Sequence, residues 1–155
     1  MPRISQNKIK NWLRFDLVAM VFLSLSVLAN EIPPGMSQLS VKITGLQSQE
    51  GQVVIALFDS RKNFTKKATQ SAALSIKAKS AEWTSELLPP GEYAIALYHD
   101  ENGNGRMDKN FLGIPREDFG FSRNAKPSFG PPKWKKVAFR LNPGLNTQTI
   151  VIQRQ

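Results

Sequence analysis

The 155-residue chain is 41% hydrophobic and 9% aromatic, enough apolar material for one core, and its length suits a single domain once a leader is set aside. It has no cysteine, which excludes a disulfide framework, a thiol nucleophile and a thiolate zinc site. Of the formal charge of +9, residues 1–29 carry +3; the remainder holds seventeen basic and eleven acidic residues, or +6, in short scattered clusters such as Arg61–Lys62 and Lys135–Lys136 that fit a solvated surface better than a nucleic-acid site.

Arg3, Lys8, Lys10 and Arg14 precede an uncharged apolar run from Leu17 to Leu28, and Val27, Leu28 and Ala29 follow the pattern read by a signal peptidase. Residues 1–29 are therefore expected to be a signal peptide, and the protein to be periplasmic or secreted. The apolar run is shorter than the about 20 residues of a spanning helix, so no stable membrane span is expected after cleavage. Residues 30–37, with Pro33, Pro34 and Gly35, read as a flexible lead into a domain over 38–155.

In that domain, residues 39–44 alternate apolar and polar, the period of a half-buried strand, and residues 52–58 are apolar enough for a central strand. The polar loop 59–70 carries one large apolar residue, Phe64, expected to fold back over one end of the domain. Residues 73–78 and 81–87 alternate again. Pro89, Pro90 and Gly91 then form a turn, because proline fixes φ and glycine admits positive φ. In 92–99, Tyr93, Ile95 and Leu97 take one face and Ala94, Ala96 and Tyr98 the other. Residues 137–141 and 147–152 close the domain around the turn at 142–144. The expected fold is all-β: a single seven-stranded antiparallel β-sandwich, immunoglobulin-like or prealbumin-like, with one long ordered loop.

That loop, from Asp100 to about Lys133, exceeds the usual limit of about 12–15 residues for a structureless connection, which marks it for function. It opens with Asp100, Asn102, Asn104 and Asp108 at positions 1, 3, 5 and 9 of a calcium-loop pattern, with Gly105 at the bend. Oxygen-bearing side chains at alternate residues of a tight loop converge on one centre, and calcium takes six to eight oxygens. The Arg106 carbonyl is placed to supply a further ligand. Phe111 stands where an EF-hand has its bidentate glutamate, and a strand precedes the loop instead of a helix, so an EF-hand is excluded. Glu117 or Asp118 would complete the shell if the chain folds back. Few charged ligands imply weak binding, about 10⁻⁴–10⁻³ M. The competing reading is turn chemistry alone, since Asn, Asp and Gly cap turns without a metal.

Farther on, Phe111, Phe119, Phe121, Phe129 and Trp134 offer either an aromatic surface over 111–134 for an envelope protein, glycan or lipid, or a small core of the loop's own. His99, the sole histidine, precedes Asp100 and is the centre of a distant hydrolase-like alternative. No phosphate-loop, zincin or serine-hydrolase motif occurs, and no enzyme is expected.

The segments LPPGEYAIALYHDENGNG at 88–105, LGIPREDFGFS at 112–122 and FGPP at 129–132 closely resemble the bacterial DUF2141 family, as do Thr44, Gly45 and Leu46 followed by Gly51 and the strand ending at Phe58. The resemblance implies an exported protein of a family without an established activity. The turn and strand after Leu88 are also similar to those of prealbumin-like and carboxypeptidase-regulatory-like sandwich domains, which implies a binding or structural role. The expectation is thus a non-enzymatic module of the cell envelope, either stabilised by calcium or metal-free and acting through its aromatic loop.

Overall fold

A computed structural model describes residues 31–154, which belong to one compact unit. The signal-peptide segment lies outside the described residues. Eight strands are described: β1 (Ser37–Thr44), β2 (Gln52–Phe58), β3 (Gln70–Ser75), β4 (Ala81–Thr84), β5 (Gly91–Asp100), β6 (Phe119–Phe121), β7 (Phe139–Leu141) and β8 (Gly144–Val151). One short helix, α1 (Trp134–Val137), precedes β7.

The strands form two sheets, ordered β4-β1-β8 and β3-β2-β5-β6, with β7 also on β5. β5 organises the larger sheet. One of its edges pairs with β2 from Phe58↔Ala94 to Gln52↔Asp100; the other takes β7 opposite Gly91–Tyr93 and β6 opposite Ala96–Tyr98. Alternation along β1, β2 and β5 sends Leu39, Val41, Ile43, Val53, Ile55, Leu57, Ile95 and Leu97 into a core shared by the two sheets. Ile150 of β8 joins them from the smaller sheet.

Two features correct the expected seven-stranded antiparallel sandwich. The eighth strand is β6, inside the stretch read as loop. The smaller sheet is mixed, because β8 runs parallel to β1 from Ser37↔Gly144 to Thr44↔Val151. Alternation specifies which face is buried and is blind to strand direction, so the parallel pairing left no mark in the pattern. Gly120 at the centre of β6 allows the larger sheet to approach β8: a Cβ there would lie 2.9 Å from Ile150 Cγ2 and 3.2 Å from Leu97 Cδ1. Phe119 and Gln153 exchange backbone hydrogen bonds, which ties the sheets together along this side.

A second apolar cluster covers part of the larger sheet's outer face. Phe64 packs edge-on against Phe58, with ring centroids 5.3 Å apart, and against Trp134 at 5.9 Å; Phe121 and Val137 complete the group. Phe64 therefore packs on the outer face of the larger sheet, against the last residue of β2. The loop aromatics divide between buried and exposed positions. Phe119, Phe121 and Trp134 pack inward, whereas Phe111 and Phe129 stand almost wholly in solvent.

Candidate functional site

The outward alternation of β5 ends on Asp100, which is completely buried where the strand gives way to the loop. Its Oδ1 accepts the Asn104 N–H at 3.0 Å; its Oδ2 accepts the Gly105 N–H at 2.8 Å and the Gln52 Nε2 at 2.7 Å. Burial alone would push the Asp100 pKa up. The Gln52 amide and the N–H groups of Gly105, Asn104 and Gly103 outweigh it and hold the carboxyl below its ordinary value, as hydrogen bonds to a charged form do.

The turn continues in the same manner. Asn102 Oδ1 accepts the Asn104 N–H at 3.1 Å, and Asn104 Oδ1 accepts the Arg106 N–H at 2.8 Å. Their amide nitrogens then converge on Asp108: Asn102 Nδ2 donates to Oδ2 at 2.7 Å, and Asn104 Nδ2 lies 3.1 Å from both carboxylate oxygens. Asp100, Asn102, Asn104 and Asp108, four of the five anticipated ligands, are thus joined by side-chain hydrogen bonds, and Arg106 contributes its backbone to the same turn. The positive ends of amide dipoles stand against Asp108.

Glu117 folds back onto this turn. It is 8% exposed, and its Oε2 accepts the Asp108 N–H at 3.1 Å. Its Oε1 is buried with no hydrogen-bond partner among the described residues. Burial raises the Glu117 pKa, and the negative charges of Asp100 and Asp108 raise it further, against the Asp108 N–H and His99, which lower it. Among the described residues no group of three or more His, Cys, Asp or Glu is placed to hold a metal ion unaided. A cation here would need the amide and backbone oxygens of the turn, which are ligands calcium accepts.

His99 faces inward, with Nε2 2.8 Å from the Glu50 carbonyl oxygen and Nδ1 3.8 Å from Glu101 Oε1. Ser48 Oγ donates to the same Glu101 oxygen at 2.7 Å, so the hydroxyl is turned to a carboxylate and not to the imidazole. This is an arrangement that anchors the β1–β2 turn; a nucleophile would need its hydroxyl on the base. A polar pocket of about 250 Å³ lies alongside, lined by His99, Glu101, Arg116, Glu117, Asp118 and Arg154.

Gln52 is the one member of the site that sequence reasoning missed. It opens β2 directly opposite Asp100, a neighbour known only once the β2–β5 register is known. Among the described residues no helix is long and apolar enough to cross a membrane.

These features define a small all-β domain of two sheets with an oxygen-rich loop leaving its central strand. The chain belongs to the DUF2141 family, described as uncharacterized proteins conserved in bacteria, whose model matches residues 41–149. No curated protein matches it. Among solved structures, a pilus-presented adhesin (Spy0125, Cpa), in a cysteine-to-alanine mutant form, aligns over 80% of this chain and 28% of its own at 13% identity, with a TM-score of 0.23.

Proposed function

We propose that this protein is an exported, non-enzymatic binding or structural module of the bacterial cell envelope, immunoglobulin-like or prealbumin-like in build, whose Asp100–Asp108 loop takes calcium. The observation that carries the calcium reading is Glu117, a buried carboxylate with one orphaned oxygen beside Asp108. An unpaired buried carboxylate oxygen is costly, and a divalent cation would both satisfy it and offset its repulsion with Asp100 and Asp108. Asp100, Asn102, Asn104, the Arg106 carbonyl and Asp108 would provide the other oxygens. Asp100 Oδ1, Asn102 Oδ1 and Asn104 Oδ1 each accept one N–H and keep a second lone pair for a cation. The Asn102 and Asn104 amide groups would have to release Asp108, which fits weak affinity.

With a dissociation constant of about 10⁻⁴–10⁻³ M, 10 mM calcium stabilises the fold by about 1.4–2.7 kcal/mol, a rise in Tm of about 5–10 °C. Thermal melts with calcium, against magnesium and against sodium chloride at matched ionic strength, measure it. Glu117→Gln is expected to abolish the response and, in chelator at neutral pH, to melt a few degrees above wild type because a buried charge has gone. A wild type that melts identically in calcium and in chelator would end the calcium reading.

A further inference from the structure

On the outer face of the larger sheet, the second aromatic cluster stops short and leaves an apolar cleft of about 770 Å³, within the range of small-molecule sites, about 300–1,000 Å³. Its floor is small: Ala56 and Ala96 are direct register partners at the middle of β2 and β5, with Val54 next along the strand. Phe119 and Phe121 rise beside them on β6, which pairs with the far edge of β5. The opposing wall comes from the long loop, where Leu112 and Ile114 line the cleft although both remain largely exposed, as does Phe129 at its mouth. The wall is fixed by its own backbone: Asn110 N–H bonds to the Ile114 carbonyl, and Arg116 N–H to the Asp108 carbonyl.

Charge accumulates on the same segment. Residues 106–136 hold eight basic and three acidic residues, so +5 of the +6 outside the leader is concentrated there. Among the described residues Lys109 is the single charged side chain lining the cleft.

We propose that the cleft binds a single-chain amphiphile, a long-chain carboxylate, with its hydrocarbon chain along the Ala56–Ala96 trough and its anionic head at Lys109. The lining selects this chemistry. A peptide or glycan would bring backbone amides or hydroxyls into a trough that offers them few partners, and unpaired polar groups are penalised on burial. A hydrocarbon chain needs no partners and gains by leaving water. A flat bilayer would meet the exposed Phe129 and Phe111 but could not reach a floor that lies beneath the walls. Lys109 and the basic segment around it supply the charge complementarity that makes the head an anion.

The test is titration of the purified full-length chain with monomeric oleate, by displacement of a fluorescent fatty acid, in calcium and in chelator. Saturable one-to-one binding is expected in both. Ala96→Trp fills the trough and is expected to weaken binding by about tenfold or more with an unchanged melting curve; Ala56→Leu serves if that variant does not fold. Lys109→Glu should weaken oleate by about fivefold to tenfold while leaving oleyl alcohol within about twofold. The proposal is overturned by absence of saturable binding, by oleate binding that neither trough variant weakens, or by binding confined to phosphatidylglycerol vesicles with none to monomeric oleate.

Discussion

Asp100→Ala is expected to destabilise the domain by about 3–5 kcal/mol whether or not calcium is present, measured as a drop in urea midpoint in chelator. Three donors lose their acceptor at once: the Asn104 and Gly105 N–H groups and the Gln52 amide. All of them act on a fully buried carboxylate, where bonds to a charged acceptor are worth more than neutral ones. Asp100→Asn should lose less, about 1–3 kcal/mol, because its Oδ1 still accepts the Asn104 N–H and Gln52 can turn its own amide to accept from the new Nδ2, so only the Gly105 N–H is left without its acceptor. A protein that tolerates Asp100→Ala as well as Asp100→Asn would show that the buried network does not hold the loop.

The pH dependence follows from the sign of the shift. Asp100 is held below its ordinary 3.8 in the fold, so its contribution is complete above that value and is lost as pH falls through the lowered one. The stability gap between wild type and Asp100→Asn should therefore shrink below about pH 4. Glu117 works in the opposite direction. Its pKa is raised from 4.5, so its contribution is present below that value and is lost as pH rises through the raised one. Without calcium the two carboxylates pull against each other at neutral pH. Asp100 is consequently a poor position at which to test metal binding, since its loss damages the fold first, and Glu117 is the informative one.

The central strands of the larger sheet were legible because their signals are local. β2 spans the anticipated 52–58, a nearly continuous apolar run, and β5 extends the anticipated 92–99 by one residue at each end, its side chains alternating between the two faces. The oxygen pattern of 100–108 was legible for the same reason, its spacing being local. What could not be read depends on contacts distant in sequence. Phe119–Gly120–Phe121 is too short for periodicity and has glycine at its centre, which reads as loop; it is a strand only because β5 presents an open edge to it. The anticipated strand at 73–78 instead runs from Gln70 to Ser75, where its register with β2 places it. Glu117 was a candidate ligand among two, and only the fold separates it from Asp118 by turning its carboxylate to the Asp108 N–H.

The other large effect is expected at Gly51, outside the loop altogether. Gly51→Ala should cost more than about 4 kcal/mol or prevent folding, judged by soluble yield and urea unfolding. Two penalties combine there. The residue holds φ at +68°, where a side chain costs about 1–2 kcal/mol, and its new Cβ would overlap the Asp100 carbonyl oxygen while lying 2.7 Å from Glu101 Cα. Both obstacles are backbone, so no rotamer change relieves them; the turn and the end of β5 must part. Gly103→Ala separates the two penalties. Its φ is +69° but a Cβ there meets nothing within 4 Å, so only the conformational cost of about 1–2 kcal/mol should appear. The difference between the variants reads the close approach itself. That approach matters because three contacts cross it: Ser48 to Glu101, the Glu50 carbonyl to His99, and Gln52 to Asp100. They fix the residues that launch the oxygen-rich loop from the sheet. Any Gly51→Ala protein that does fold should bind calcium more weakly than wild type, although no atom of Gly51 is a ligand. Equal losses in Gly51→Ala and Gly103→Ala would mean that the turn and the loop are not held together.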